Sequence, residues 1–256
     1  MKHPLRTLLL AVCCGLAAAC TQRQERLKLM SYNIRNGIGI DNIQDIDRIA
    51  RVILREAPDL VALQELDSAT LRVDGRYIPG ELGRMTGMHA TFGRAIGFAG
   101  GSYGIGLLSR TEPLAVRSIP LPGREEARVL LMAEFPDYTV CITHLSLTPE
   151  DRLASLPIIR EATDTCRKPV LLAGDFNTGN AAAVLAGLGG FRILSDTTRM
   201  TFPSDNPAVR IDYILGRGLP TSATVAESAV DHTATASDHC PLWVTLAWKR
   251  GKQPGK

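Results

Sequence analysis

Apolar residues recur along this chain in short alternating or continuous runs that predict many strands and few helices. Leu27 to Ile34 alternates and predicts a first strand, and Asp59 to Leu63 predicts a second, buried one. Between them, apolar positions at helical spacing over 46–57 predict a helix that Asp41 or Asn42 caps and that ends before the next proline. The chain therefore begins with a β-α-β unit.

The pattern changes after a short helix predicted for residues 78–87. Turns rich in Gly, Pro and Asp then separate short strands at His89–Phe92, Tyr103–Leu108, Leu114–Ile119, Val129–Phe135 and Tyr138–Leu145. Residues 147–166 are mostly helical in pattern, and Pro157 is expected to kink or split that helix.

The last third returns to strands. Residues 169–173 form an apolar run, a helix follows near 181–188, and three more strands are predicted at 210–215, 223–229 and 240–247. Strands punctuated by a few helices, with no composition shift between them, predict one α+β domain.

The first twenty residues have the character of an export signal. Lys2, His3 and Arg6 give a basic start, an apolar run follows, and Ala17-Ala18-Ala19-Cys20 resembles a bacterial lipobox. That resemblance implies cleavage before Cys20 and lipidation of this cysteine. Plain secretion or a buried N-terminal helix are the alternatives, and the polar residues that follow give such a helix no amphipathic continuation.

These features predict an order of segments and a location. The order is a lipoprotein signal peptide at 1–19, a polar tether at 20–26, the folded domain at 27–248 and a polar tail at 249–256. The protein is expected to be exported, monomeric and held to a membrane by Cys20, on the periplasmic face or the outer-membrane surface.

The charge and aromatic content weigh against nucleic acid as a partner, and the cysteine content leaves one disulfide open. The formal net charge is +3 and aromatic residues make up 5% of the chain, so a protein that binds nucleic acid by phosphate neutralisation and base stacking is not favoured. Outside the first twenty residues the cysteines are Cys141, Cys166 and Cys240. Three cannot all pair with one another, and a disulfide through Cys166 stays open.

Polar side chains of one chemical kind stand at the ends of the predicted strands. Asp175 and Asn177, in the sequence Gly-Asp-Phe-Asn, leave a buried strand two positions apart and hence on the same side. The other members are Asn33, Glu65, His144, Asp212, Asp238 and His239. Carboxylates, carboxamides and imidazoles are ligands for a hard divalent cation and acid–base groups for hydrolysis, whereas the lack of cysteine argues against structural zinc.

Each of these residues also has an ordinary structural interpretation. Asn33 could form a turn, Glu65 could cap a helix or lie at the surface, and His144 could be a core imidazole. Asp212 could pair with Arg210, and Asp238 could cap a turn. Taken together the set favours a functional site, because each group leaves an apolar strand where an unpaired charge is costly.

The ordered motifs YNI, QE, THL, GDFN, IDYI and SDHCPL resemble the endonuclease/exonuclease/phosphatase superfamily over residues 27–246. The resemblance implies a four-layer α/β/β/α sandwich with two mostly antiparallel sheets flanked by helices. It also implies a phosphoester hydrolase that depends on Mg²⁺ or Mn²⁺ and attacks with an activated water.

The resemblance also implies roles for individual residues. Glu65, Asn33 and Asp238 are similar to the metal ligands, Asp175 and Asn177 to the pair that orients the water and the phosphate. His239 resembles the general acid or base, Asp212 the carboxylate that orients it, and His144 the imidazole that stabilises phosphoryl oxygens.

Two arginines are candidate phosphate contacts. Arg35 stands where apurinic-site endonucleases have an acidic residue, which weakens a nuclease interpretation. Arg128 could contact phosphate or pair with Glu125 or Glu126, and Tyr103 could line the site or lie in the core. We expect a small phosphorylated or phospholipid substrate; a nuclease and a non-catalytic surface lipoprotein are the alternatives.

Overall fold

A computed structural model describes residues 24–249, so the predicted signal peptide, the lipidation cysteine Cys20 and the end of the tail lie outside the described residues. The strands are β1 (Gln24–Asn33), β2 (Leu60–Ser68), β3 (His89–Phe98), β4 (Gly101–Ser109), β5 (Ala115–Leu121), β6 (Arg128–Glu134), β7 (Thr139–His144), β8 (Val170–Asp175), β9 (Arg192–Ile193), β10 (Asp212–Arg217), β11 (Thr224–Val230) and β12 (Leu242–Lys249). The helices are α1 (Ile46–Glu56), α2 (Ile78–Thr86), α3 (Pro149–Asp164) and α4 (Ala181–Leu188).

The strands form two six-stranded sheets. The first has the order β11-β12-β1-β2-β4-β3 and the second the order β5-β6-β7-β8-β10-β9. Within the described range only β1–β2 and β7–β8 pair in parallel, and the other neighbours are antiparallel. Each parallel pair brings two carboxyl-terminal strand ends to one edge of its sheet.

Burial on both faces of each sheet explains the layers. In β1, Leu27 and Leu29 point into the core between the sheets, whereas Met30 and Tyr32 point into a second core, as the two-residue period of a strand requires. That second core also contains α1 and α2 residues, and a third core joins the other sheet to α3 and α4. The predicted four-layer sandwich is confirmed.

The predicted cap of α1 is wrong, and Pro157 does not split α3. The cap of α1 is Asp45, whose carboxylate accepts the Arg48 backbone N–H at 3.2 Å, while Asp41 binds the Arg48 guanidinium at 2.8 Å. Helix α3 is one continuous element that contains Pro157. Because Pro157 has no backbone N–H, the carbonyl of Leu153, four residues earlier, loses its helical hydrogen bond. Leu153 is exposed, so water can bond that carbonyl instead.

The cysteines behave as free thiols in the described part of the chain. Cys141 and Cys240 are buried and Cys166 is partly exposed, and none of the three is paired with another.

No helix within residues 24–249 is both long and apolar enough to cross a bilayer.

Strand β8, which ends at Asp175, lies very close to β7 at Gly174. A Cβ at Gly174 would overlap the carbonyl oxygen of Thr143 on the neighbouring strand. We therefore expect Gly174→Ala to lower the free energy of unfolding by about 1–3 kcal/mol, the range for overpacking a buried position. Urea denaturation followed by circular dichroism measures this.

Gly179 provides the matched control, because the nearest atom to a Cβ there lies at 3.6 Å. Gly179→Ala should keep the stability of the parent protein. Equal losses in the two variants would contradict the assignment of strain to Gly174.

Candidate active site

The carboxyl-terminal ends of β1, β7 and β8 meet at one edge of the sandwich and bring polar side chains together. Asn33, the last residue of β1, donates its amide Nδ2–H to Asp175 Oδ2 at 3.2 Å and to Glu65 Oε1 at 3.0 Å. Since Asp175 ends β8 in the other sheet, this hydrogen bond joins the two sheets at the site.

Glu65 reaches the site from inside a strand. The prediction that the second strand ends at Glu65 is wrong, because β2 continues to Ser68. Its pairing with β4 shifts between Leu63 and Leu66, and Glu65 has a φ of 56°. A β-bulge of this kind re-aims one side chain while the strand continues, and here it turns the carboxylate towards Asn33.

A buried pair of carboxylates forms the floor of the site. Asp175 and Asp212 are direct neighbours in the antiparallel pairing of β8 with β10, and each is 1% exposed. His239 lies against both, with its Nδ1 3.0 Å from Asp212 Oδ2 and its Nε2 3.7 Å from Asp175 Oδ2. The alternative pairing of Asp212 with Arg210 is absent, because that arginine donates to the Arg199 carbonyl and the Ser195 hydroxyl.

Ser237, the first residue of the SDHCPL motif, positions His239. The Ser237 hydroxyl donates to the Asn33 carbonyl at 2.7 Å and accepts the His239 backbone N–H at 3.3 Å. Thr201 acts similarly on the opposite side, where its hydroxyl accepts the backbone N–H groups of Ile211 and Asp212. Both lie in loops without periodicity, so the sequence did not indicate these hydrogen bonds, although Ser237 belongs to the SDHCPL motif.

His144 completes the buried group. It ends β7 directly beside Asp175 in the parallel register, with Nε2 3.4 Å from Asp175 Oδ2. Burial, with the nearby charges of Arg128 and His239, lowers the pKa of His144 well below its ordinary value. The imidazole is therefore neutral at physiological pH.

The other two titratable groups of the floor shift upward. Burial, and then the charge of Asp212, raise the pKa of Asp175 to about 7. Burial alone would lower the pKa of His239, but the Asp212 carboxylate outweighs it and raises that pKa to about 10. At neutral pH the site thus combines an imidazolium, a neutral imidazole and a carboxyl group near its midpoint.

Asn177 holds the turn that follows β8. Its backbone N–H donates to Asp175 Oδ1 at 2.8 Å and its side-chain amide donates to the Leu145 carbonyl at 2.8 Å. Its φ of 50° is a left-handed conformation that asparagine tolerates better than most residues. Asn177 therefore fixes the direction of the Asp175 carboxylate and ties this turn to the end of β7.

Asp238 and Arg35 face each other at the rim. Arg35 Nε lies 3.5 Å from Asp238 Oδ2, and the two side chains are 35% and 30% exposed. The structure therefore places two predicted metal ligands, Asn33 and Glu65, in direct contact, and the third, Asp238, next to an arginine.

Arg128 is buried beside the site. Its guanidinium bonds Glu126 at 2.9 Å and Glu125 at 3.3 Å, so the alternative of an ion pair is present, yet the side chain is only 6% exposed. Its Nε has no hydrogen-bond partner and a small cavity beside it is shared with Tyr103 and His144. Arg128 is thus a buried cation rather than a surface one.

Glu125 organises the loop after His144, a role the sequence did not reveal. Burial would raise its pKa, but hydrogen bonds from the Ser146 hydroxyl, its own backbone N–H and the Leu147 N–H outweigh this and lower the pKa of Glu125 to about 2. The ionised carboxylate joins the loop before β6 to the loop before α3.

The donor set suits a divalent cation. Asp175, Asp212 and His239 offer ligand atoms within 4.8 Å of one another, and the buried Asp212 Oδ1 has no hydrogen-bond partner. Oxygen donors with excess negative charge are what Mg²⁺ and Mn²⁺ prefer. His239 is already bound to Asp212, so the carboxylate oxygens, with Glu65 beside them, are the better ligands.

The family model described as the Endonuclease/Exonuclease/phosphatase family matches residues 30–239. The chain belongs to this family. Its members are phosphoester hydrolases that generally use divalent metals, which agrees with the carboxylates and imidazoles gathered at the sheet edge.

Solved structures of family members share the fold. An endonuclease/exonuclease/phosphatase from Bacteroides vulgatus is 19% identical with a TM-score of 0.71, covering 88% of this chain and all of its own. A mannosyl-6-phosphatase of Bacteroides thetaiotaomicron VPI-5482 is 19% identical with a TM-score of 0.68, covering 86% of this chain and 99% of its own. A humanized TDP2 from D. rerio is 20% identical with a TM-score of 0.63, covering 86% of this chain and 98% of its own.

The raised pKa of Asp175 leads to a prediction for metal binding. A carboxyl group with a pKa of about 7 holds its proton at pH 5.5 and releases it by pH 8, whereas His239, with a pKa of about 10, stays charged over that range. Because a metal competes with the proton, Mn²⁺ should raise the melting temperature more at pH 8 than at pH 5.5, as thermal-shift measurements would show.

Asp175→Asn is the control for this effect. Without the titrating group, the difference between the two pH values should shrink. A metal-induced shift in the parent protein that is the same at both pH values would contradict the prediction.

Proposed function

We propose that this protein is a divalent-metal-dependent phosphoesterase that hydrolyses a small phosphorylated molecule. The observation that carries the proposal is the joint presence of the Asp212–His239 pair, Asp175, Asn33 and Glu65 at one edge of this family's sandwich. That group supplies a proton acceptor, a fixed cation and oxygen ligands within contact of one another.

The pKa values suit Asp175 and His239 to different roles. With a pKa of about 10, His239 is charged at neutral pH and stabilises negative charge on a phosphoryl oxygen. Asp175, with a pKa of about 7, is the group suited to accept a proton from the attacking water. Asp212 keeps the His239 ring oriented through its bond to Nδ1.

His144 and Asn33 complete the arrangement around the phosphate. His144 is neutral and can donate a hydrogen bond to a phosphoryl oxygen without adding charge. Asn33 holds the Asp175 and Glu65 carboxylates in place. A divalent cation bound at the carboxylates would supply charge neutralisation for the phosphate and the departing oxygen.

Two observations favour a small substrate over nucleic acid. The arginines around the site are already paired with carboxylates: Arg35 with Asp238, Arg72 with Asp67, and Arg128 with Glu125 and Glu126. Paired guanidinium groups leave little free positive charge to neutralise a polyanion. The mannosyl-6-phosphatase with the same fold supports a sugar phosphate as one substrate type.

The test is hydrolysis of p-nitrophenyl phosphate, bis(p-nitrophenyl) phosphate and plasmid DNA by signal-less protein with Mg²⁺ or Mn²⁺. We expect activity on at least one nitrophenyl ester and none on DNA. Degradation of DNA with steep salt dependence would assign a nuclease instead, and no hydrolysis of any ester by metal-loaded protein would refute the proposal.

His239→Ala should reduce kcat by about 10²–10³-fold, the usual cost of removing a positioned donor that stabilises the charge developing in the transition state. The matched control is His89→Ala, since His89 is exposed and begins β3, away from the site edge. Steady-state rates of the two variants decide the matter. Comparable losses in both would contradict a catalytic role for His239.

Asn177→Asp should damage the rate more than the affinity for metal. The substitution keeps a residue that tolerates the left-handed backbone, but it removes the donor to the Leu145 carbonyl and adds charge beside Asp175. Metal titrations of the rate should show a lower kcat with a nearly unchanged half-saturating Mn²⁺ concentration. Rescue of kcat by excess Mn²⁺ would instead place Asn177 among the metal ligands.

A further inference from the structure

Strand β1 runs from one end of the sandwich to the other, and the site lies at its carboxyl-terminal end. It begins at Gln24, where it pairs with Lys249 at the end of β12, and it finishes in the site at Asn33. His239, which lies in the site, comes just before β12. Strand β12 therefore starts near the site and ends at the opposite end of the sandwich. The first and last described residues therefore both lie at that opposite end.

That end presents a broad face built by both sheets. A hollow of about 760 Å³ there lies among strand starts and ends, far from the carboxylate floor. We call it the base face and define it by Arg26, Arg110, Tyr138, Pro169, Trp248 and Lys249.

We propose that the base face lies against the membrane that holds Cys20 and that the active site opens away from this membrane onto water-soluble phosphoesters. The inference rests on the proposed phosphoesterase function and on the proposed lipidation of Cys20. It selects between the two substrate types that the sequence left open, a soluble phosphorylated molecule and a phospholipid head group.

Lengths decide the orientation. Nine residue steps separate Gln24 from Asn33, which at about 3.3 Å per step in a strand is about 30 Å. Cys20 precedes Gln24 by four positions, and four steps span at most about 14 Å whatever conformation they take. A tether of that reach cannot pass along the domain and turn the site towards its own bilayer.

Partial tilting does not change this conclusion. With the domain on its side, the mouth of the site would point along the bilayer surface rather than into it. A lipid head group of the same leaflet would then have to leave the bilayer to meet Asp175 and His239. Extracting a lipid costs the transfer of its buried acyl chains to water, at about 0.8 kcal/mol for each CH₂ group.

The chemistry of the base face fits a surface held at the membrane by the lipid anchor. Tyr138 and Trp248 are residue types typical of the membrane–water interface. The cations Arg26, Arg110 and Lys249 are matched by three carboxylates, which are Glu25, Asp59 and Asp137. Without excess positive charge, the domain lacks an electrostatic attraction to anionic lipid and depends on the anchor.

The first experiment measures orientation without using activity. Full-length lipidated protein is reconstituted into phosphatidylcholine vesicles containing dansyl-phosphatidylethanolamine, and energy transfer from tryptophan to the dansyl head groups is recorded. The parent chain carries Trp248 on the base face. The double substitution Trp248→Phe/Leu71→Trp moves the reporter to an exposed position in the short 3-10 turn that follows the site end of β2. Buried Trp243 is common to both proteins.

We expect at least threefold more energy transfer from the parent protein than from the variant. Equal transfer, or more transfer from position 71, would overturn the orientation whether or not the protein is an enzyme. Signal-less protein mixed with the same vesicles should show none, because the base face does not bind lipid by itself.

The second experiment tests the substrate class with a longer tether. A forty-residue Gly-Ser insert after Arg23 has a root-mean-square reach of about 35 Å, enough for the site to meet its own vesicle. Release of p-nitrophenol from p-nitrophenyl phosphate should be the same for the native and lengthened proteins. Phosphate release from phosphatidic acid in the anchoring vesicle should be absent, or at least tenfold slower for the native tether.

The outcomes separate the two proposals. Equal hydrolysis of anchored phosphatidic acid by both tethers would overturn the inference and leave the phosphoesterase function standing. Loss of every activity in both proteins would refute the phosphoesterase function, while the energy-transfer result would still decide the orientation.

Discussion

The structure depends on the juxtaposition of two buried carboxylates on neighbouring strands. Asp175 and Asp212 oppose each other in the β8–β10 pairing with 1% exposure each, and like charges in a medium of low polarity repel strongly. The His239 imidazolium offsets one negative charge, and the other must be met by a proton or a cation. The site therefore carries an unfavourable electrostatic energy that binding and catalysis can use.

The rest of the fold supplies the rigidity that this arrangement requires. Ser237 and Thr201 fix the backbone on either side of the carboxylates, Asn33 bonds across the sheets, and Gly174 allows β8 to lie close to β7. Without such supports, two buried charges would relax by moving apart or drawing in water. The hydrophobic layers thus act as the frame that keeps an unfavourable contact in place.

Sequence patterns predicted most strands and the polar strand ends, because period-two burial and turn residues are local signals, whereas the four layers were implied by the family resemblance. They located Asn33, His144 and Asp175 for that reason. They did not reveal the bulge that aims Glu65, which depends on pairing with β4. They also did not reveal the hydrogen bonds that the Ser237 and Thr201 hydroxyls make to distant backbone groups. The cap of α1 also depended on a tertiary choice, since Arg48 binds Asp41 and leaves Asp45 to the helix N-terminus.

The hydrogen bond from Asn33 to Asp175 crosses from one sheet to the other, so the reacting geometry is set by the spacing of the two sheets. Residues of the core between the sheets, such as Leu131 and Val244, help to determine that spacing. A shift of about 1 Å at a reacting centre can cost about a hundredfold in rate. The catalytic rate is consequently a more sensitive measure of how the two sheets pack than the free energy of unfolding is.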